Sequence, residues 1–271
     1  MSKTISFKHS GNTGDIIYAL AGIKAVCEKY ESKAILYIWL DRPGFYYEGA
    51  KHPLGTVIMN QHMFDMLLPL LLSQPYIEDV LIYEGQKIIV DLDLIRQDFC
   101  NMPYGHIARW YFYRFPDMAC DLGHRWLHEI RGLIPDVSDY MLSQSIVINR
   151  TSRYQNTHIS YAFIQQYGKR LDTNIYFVGV DEEYNAMLKE IPNLKQIKCS
   201  DFLQLAWVIK HCKVFIGNQS MCYALAEAMK SPRILEVCRF APNVIPQGGG
   251  PAYDFYTQYS FEFYVEQMMS K

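Results

Sequence analysis

Short apolar runs alternate along this chain with segments whose apolar residues recur at helical spacing. Several runs are continuously apolar, which is typical of parallel strands covered on both faces. Between the runs, a segment such as Asp15–Tyr30 keeps its apolar side chains on one helical face. This alternation predicts an α/β architecture with parallel sheets. The predicted strands are Thr4–Lys8, Ala34–Leu40, Val80–Tyr83, Ile88–Leu92, Ser145–Asn149, Ile175–Gly179, Val214–Gly217 and Arg233–Val237.

The 271 residues are enough for one large domain or two small ones. Because the alternation occurs in both halves, we predict an N-terminal Rossmann-like domain over residues 1–142 and a C-terminal one over 143–257, with the boundary at Met141–Gln144. The segment Gln97–Asp139 breaks the pattern and is dense in aromatic residues and histidines. It is either a helical excursion that packs into the first domain or a wall of an acceptor site.

Composition excludes several classes of protein. The 26 basic and 28 acidic side chains give a net charge of −2, which leaves no electrostatic footprint for duplex nucleic acid. The 7 cysteines form no Cys-x-x-Cys pair, so neither a disulfide framework nor a structural zinc site is expected. The first residues lack the apolar core of a signal peptide, and the longest apolar run, Met66–Leu72, is too short to span a bilayer. We therefore expect a cytoplasmic protein whose contact with membranes, if any, is peripheral.

The loop His9–Asp15 lies between the first predicted strand and the first predicted helix. Its two glycines let the backbone turn sharply, and the start of the helix is a natural anion site. The loop is neither a P-loop nor the dinucleotide fingerprint, because it has no Lys-Ser/Thr and too few glycines. Asp15 is either an acid that stabilises the first helical turn or a carboxylate that accepts a proton from an attacking hydroxyl.

The second half has comparable loops where strands end. Asn218, Gln219 and Ser220 join a buried strand to a helix, which is the arrangement that cradles phosphates. Arg150 and Arg153 follow another strand and either grip a diphosphate or are solvated surface arginines.

Acidic residues follow or interrupt other strands of the second half. Glu182 and Glu183 come just after Gly179 and either bind ribose hydroxyls or add charge to the first turn of a helix. Glu236 interrupts an apolar strand and needs a buried partner or a ligand hydroxyl. In the first half, Asp91-Leu92-Asp93 has the letters of a metal motif, but it is far in sequence from the predicted phosphate loops, so we expect no metal role.

These stretches resemble glycosyltransferase family 9, the heptosyltransferase-like enzymes of the GT-B fold. The segment Thr13–Ile17 resembles the Gly-Asp-Val/Ile start of that family, whose Asp is the catalytic base. The segment Val214–Pro232 resembles the donor motif Asp-Thr-Gly-x-x-His, which precedes an alanine-rich helix. At the motif positions this chain has Gln219, Ser220, Met221 and Ala224, so only the hydroxyl is retained.

The resemblance implies two Rossmann-like domains with parallel sheets facing across a cleft, and a C-terminal helix over 258–271 that packs back on the first domain. It implies an inverting, metal-independent transfer of a hexosyl, heptosyl or pentosyl group from a nucleotide-diphosphate sugar to an acceptor hydroxyl, with no cofactor. Asp15 would be the general base. The donor would be bound by Arg150, Thr151, Arg153, Gly179, Glu182, Glu183, Asn218, Gln219, Ser220 and Glu236. The acceptor loop would include Asn12, Thr13, Gly14, Arg96 and Arg109.

Two other functions remain open on the sequence. A nucleotide-sugar epimerase shares this two-domain fold, and a non-catalytic nucleotide-sugar-binding protein would tolerate the altered donor motif. The acceptor is a glycan, a small molecule or a modified nucleobase, and the charge of the chain does not support nucleic acid.

Overall fold

The structure is a computed structural model that describes residues 3–44, 57–97, 105–128 and 137–270. Within these ranges the chain forms two separate parallel β-sheets. The first sheet has the order β3-β2-β1-β4. Its strands are β1 Lys3–His9, β2 Ser32–Ile38, β3 Ile77–Ile82 and β4 Val90–Asp91.

The second sheet has the order β10-β9-β8-β5-β6-β7, again with all neighbours parallel. Its central strands, β5 and β8, are buried along their whole length, as their continuous apolar sequences predict. The strands are β5 Ile146–Asn149, β6 Ile175–Phe177, β7 Lys195–Gln196, β8 Val214–Asn218, β9 Arg233–Glu236 and β10 Ala252–Phe255. The two-sheet prediction is therefore confirmed.

Helices flank both sheets in the described part of the chain. They are α1 Thr13–Lys29, α2 Gln61–Leu72, α3 Ile107–Arg114, α4 Asp139–Ser143, α5 Ala162–Leu171, α6 Asp181–Met187, α7 Phe202–His211, α8 Met221–Met229 and α9 Gln258–Met269. Within the described ranges, no helix combines the length and the apolarity that a membrane span requires.

One hydrophobic core cluster extends across both halves, and a second cluster lies within the second half. Helix α1 packs on α8, and α2 packs on α7, so one pair of helices from each half forms the junction. The contact is close where the two first turns meet, since a Cβ added at Gly14 would lie 3.6 Å from the Cα of Met221. The Gly11–Asp15 loop and the Gln219–Ser220 loop therefore lie next to each other at the junction of the two halves.

The final helix does not pack where the resemblance placed it. It covers the second sheet, because β10 extends that sheet and Thr257 caps the helix directly after it. The Phe261 ring lies 4.6 Å from that of Tyr161 and 4.2 Å from that of Phe255, all in the core of the second half. The expectation that residues 258–271 pack back on the first domain is wrong.

Over its described residues, the aromatic segment Gln97–Asp139 contains α3 and buries some of its large side chains in the core, whereas Tyr113 is 65% exposed. Tyr111 and Trp126 belong to the core, and the Trp126 indole donates a hydrogen bond to the carbonyl of Ile17 at 2.8 Å. Residues 98–104 and 129–136 of this segment lie outside the described ranges.

Candidate functional site

Two connected cavities lie where the first turns of α1 and α8 meet. The smaller one, here called the Asp15 crevice, has a volume of about 120 Å³. The larger one, here called the large cavity, has a volume of about 420 Å³, which is within the usual range for a small-molecule site. Four residues line both spaces and form their junction: Thr13, Arg153, Ser220 and Met221.

Asp15 lines the crevice from the first turn of α1. Its Oδ2 accepts a hydrogen bond from the backbone of Asn12 at 3.3 Å and an ion-paired hydrogen bond from Arg96 Nη2 at 2.9 Å. The Asp15 side chain is 20% exposed, so solvent and ligands can reach it. The two roles considered for Asp15 are therefore compatible, because the same carboxylate caps the helix and faces the crevice.

The loop that carries Asp15 is stabilised by hydrogen bonds to His9, which was not among the predicted site residues. The Gly11 N–H donates to His9 Nδ1 at 2.8 Å, so His9 Nε2 carries the ring proton and donates it to the Tyr111 hydroxyl at 2.6 Å. The Tyr111 hydroxyl in turn donates to the Asp15 carbonyl at 3.3 Å. Burial lowers the pKa of His9 to about 4, which keeps the ring neutral, as this network requires.

Glycine is required at position 11 because other side chains cross directly over it. A Cβ there would lie 2.5 Å from His9 Cε1, 2.7 Å from Arg96 Nη2 and 2.9 Å from Asp15 Oδ2. Any larger residue must displace the ion pair or the histidine.

Ser220 is the N-cap of α8 and faces both cavities. Its hydroxyl donates to Asn149 Oδ1 at 2.8 Å and accepts from the backbone of Tyr223 at 3.4 Å. Thr151 also lines the large cavity.

Asn218 and Gln219 act as braces. The Asn218 amide pairs with both backbone groups of Thr151, at 2.9 and 2.7 Å. Gln219 donates to Ala241 O and accepts from Cys238 N, which fixes the loop after β9 beside the crevice. Their side-chain polar groups are thus engaged by the protein, while Gln219 also lines the Asp15 crevice, so donor binding by these two residues stays a prediction.

Arg150 and Glu236 are sequestered away from both cavities. Arg150 Nε donates to Glu236 Oε2 at 2.8 Å and its Nη2 donates to Glu236 Oε1 at 3.1 Å. Tyr161 and the backbone of Asn156 also donate to the Glu236 carboxylate, and neither Arg150 nor Glu236 lines the large cavity or the Asp15 crevice. The prediction that Arg150 grips a diphosphate is corrected, and Arg150 is the buried partner that Glu236 requires.

The structure distinguishes the two acids after β6. Glu183 is half-buried and lines the large cavity beside Gly179, whereas Glu182 is exposed and lies outside it. Burial raises the pKa of Glu183 to about 7. Gly179 adopts φ = 144° with Asn149 Nδ2 2.9 Å from where its Cβ would be, so a side chain there would be strained and obstructed.

The arginines predicted for the site lie in three different places. Arg153 lines both cavities at their junction, and Arg96 holds Asp15. Arg109 is exposed and donates to Gln247 Oε1 at 2.9 Å, outside both cavities, and its assignment to the acceptor loop stays a prediction.

The acids of Asp91-Leu92-Asp93 form an ion cluster in the first half. Lys8 Nζ lies 2.6 Å from Asp91 and 3.5 Å from Asp93, and Asp93 accepts two hydrogen bonds from Ser10. Across the described ranges, no three His, Cys, Asp or Glu residues come together as a set of metal ligands.

Comparison with known proteins supports the fold. No protein-family model and no curated sequence matches the chain. Solved structures do match: a family 9 glycosyl transferase from Veillonella parvula has 13% identity and a TM-score of 0.64, over 98% of this chain and 90% of that one. An E. coli heptosyltransferase solved with ADP has 8% identity and a TM-score of 0.63, over 98% of this chain and 99% of that one. E. coli ADP-heptose LPS heptosyltransferase II has 12% identity and a TM-score of 0.56, over 99% and 98%. At these identities the likeness is one of fold, and the chain has the GT-B fold expected from its sequence.

Proposed function

We propose that this protein is a glycosyltransferase that moves a sugar from a nucleotide-diphosphate sugar to an acceptor hydroxyl with inversion at the anomeric carbon. The observation that carries the proposal is the junction of the two cavities. There a reachable carboxylate, Asp15, stands beside the first turns of two helices and the guanidinium-bearing Arg153. Such a site combines a proton acceptor with an anion-binding surface.

The nucleotide sugar is placed with its nucleoside in the large cavity and its sugar in the Asp15 crevice. The nucleoside occupies the large cavity, where Glu183 accepts hydrogen bonds from ribose hydroxyls. The diphosphate lies at the junction, facing the first turns of α1 and α8, the hydroxyls of Thr13 and Ser220, and Arg153. The sugar then projects into the crevice beside Asp15.

The reaction follows from this placement. The acceptor oxygen attacks the anomeric carbon on the face opposite the diphosphate, and the bond from that carbon to the phosphate oxygen breaks. Asp15 accepts the proton of the attacking hydroxyl. Helix dipoles and Arg153 stabilise the charge that develops on the diphosphate, which is the basis for proposing that no metal is needed. Arg96 and the His9 network fix the direction of the Asp15 carboxylate.

A binding protein without turnover is the second candidate. The observation that favours it is the Asp15–Arg96 ion pair, because Arg96 already occupies an oxygen of the carboxylate that an attacking hydroxyl would have to reach. Both candidates bind nucleotide sugars, and only the transferase consumes them.

A thermal-shift screen against ADP-, GDP-, UDP-, CDP- and dTDP-linked sugars tests the shared part of the proposal. A ligand at 100 times its Kd adds about 2.7 kcal/mol to the free energy of unfolding. The matched variant is Ser220→Ala, which removes a hydroxyl from the junction and reduces the shift. Release of free nucleoside diphosphate on adding an acceptor mixture then distinguishes the transferase from the binding protein. No stabilisation by any of the five nucleotide sugars would contradict both candidates.

A further inference from the structure

Helix α2 belongs to the first half, yet it forms a wall of the large cavity, whose other walls come mainly from the second half. Met63 and Met66 line the cavity from α2, and Phe202 and Leu205 line it from α7. These two helices pack directly on each other. The cavity is therefore completed only when the two halves are together.

The large cavity is polar at its junction with the Asp15 crevice and mainly apolar where α2 and α7 line it, with His62 and Asp201 beside the apolar side chains. Its polar end is the junction with the Asp15 crevice, where Thr13, Arg153 and Ser220 lie. The side chains of α2 and α7 line only the large cavity and do not reach the Asp15 crevice or the junction. A ligand with a charged end and an apolar, planar end matches this gradient.

Two methionines, Met63 and Met66, lie on a flank of α2 that the core covers only in part. Phe64, Leu67 and Leu70 are buried in the core, whereas Met63 and Met66 are only half-buried and lie three residues apart on the same flank. Thioether side chains are flexible and polarisable, and they contact aromatic rings favourably. Their uncovered surface faces the cavity.

We propose that α2 is a base clamp: the heterocyclic base of the nucleoside diphosphate is held by Met63 and Met66 of α2 together with Phe202 and Leu205 of α7. The inference rests on the proposed function, because it needs a nucleotide in the large cavity. It adds that the first half contributes to base binding and base selectivity, and that the bound nucleotide bridges the two halves.

Calorimetric titration of Met63→Ala and Met66→Ala with ADP, GDP, UDP and inorganic pyrophosphate tests the clamp. Each substitution removes apolar contact with the base, so the Kd of the best-bound nucleotide should rise on the order of tenfold. The affinity for pyrophosphate, which reaches only the polar end, should stay within about twofold. The matched control is Leu68→Ala, because Leu68 is half-buried on the same helix and packs on the same core but does not line the cavity.

Two further measurements keep the result interpretable if an alanine variant loses stability. Met66→Leu keeps the side-chain volume and should bind nucleotide nearly as well as the wild type. In the wild type, the best-bound nucleotide should slow amide hydrogen exchange in residues 61–72, and pyrophosphate should not.

The outcomes distinguish a failure of the clamp alone from a failure of the proposed function. If nucleotides bind the wild type and both alanine variants equally, and α2 exchange is unchanged, the clamp is wrong and the proposed function stands. If no nucleotide binds the wild type, both are wrong.

Discussion

Replacing Arg150 by alanine decides whether this residue serves the fold or the ligand. In the structure its guanidinium is 5% exposed and its partner carboxylate, on Glu236, is fully buried. Truncation leaves that carboxylate without its cation, and breaking a buried pair from one side costs about 3–5 kcal/mol. For a chain of this size each kcal/mol lowers the Tm by about 2–4 °C, so the expected fall is about 6–20 °C.

The assay is urea unfolding together with calorimetric Tm, and the matched control is Arg170→Ala. Arg170 pairs with Glu266 in the same half, but both side chains are more than half exposed, so its loss should cost less than about 1 kcal/mol. The double variant Arg150→Met with Glu236→Leu should recover much of the loss, because it removes both buried charges. An Arg150→Ala protein with wild-type stability and weakened nucleotide binding would refute the reasoning and restore Arg150 to the donor site.

The remaining predictions concern pH, the Asp15 loop and metals. Burial lowers the pKa of His9 to about 4 and that of His106 to about 3. Below pH 6.5 the unfolded state therefore binds more protons than the folded state. The free energy of unfolding should fall on acidification by up to about 1.4 kcal/mol per pH unit for each histidine. Burial raises the pKa of Glu183 to about 7, so between pH 7 and 4.5 this residue makes the free energy of unfolding rise on acidification. Glu183→Gln should therefore steepen the fall in the free energy of unfolding, measured with urea across this range. An unchanged slope would contradict the buried position of the Glu183 carboxyl. Gly11→Ala should lower the free energy of unfolding by about 1–3 kcal/mol and abolish most of the turnover, because the added Cβ overlaps the Asp15–Arg96 ion pair. A variant with the wild-type Tm and rate would show that the loop accommodates the methyl group. Sugar transfer should persist in EDTA; loss of turnover that magnesium or manganese restores would refute metal independence.

Much of the site could be predicted because parallel strands bring their carboxyl-terminal loops to one edge. Asp15, Ser220, Arg153 and Glu183 come from loops or first turns after four different strands, and all line the cavities. Local sequence shows where a strand ends and a helix begins, and that was enough to place these side chains.

Other residues could not be placed because their partners are distant in sequence. Arg150 and Glu236 are separated by 86 positions, and nothing local reveals that each neutralises the other. His9 and Tyr111 are 102 positions apart, so the support beneath the Asp15 loop was also missed.

The packing of whole helices is equally invisible to local patterns. The resemblance implied a helix over residues 258–271, but no local pattern indicates which sheet that helix covers. The flank of α2 that faces the large cavity emerges only when the two halves pack together.

The single-turnover rate of Asp15→Asn tests the central claim most directly, with the donor found in the nucleotide-sugar screen. The substitution keeps the size of the side chain but removes the proton acceptor. The account predicts nucleotide affinity within a few-fold of the wild type and a loss of turnover of about 10²–10⁴. The control is Asp139→Asn, an exposed acid in the first turn of α4, which should change the free energy of unfolding by at most about 1 kcal/mol and leave turnover unchanged. An Asp15→Asn protein that transfers sugar at the wild-type rate would contradict the account.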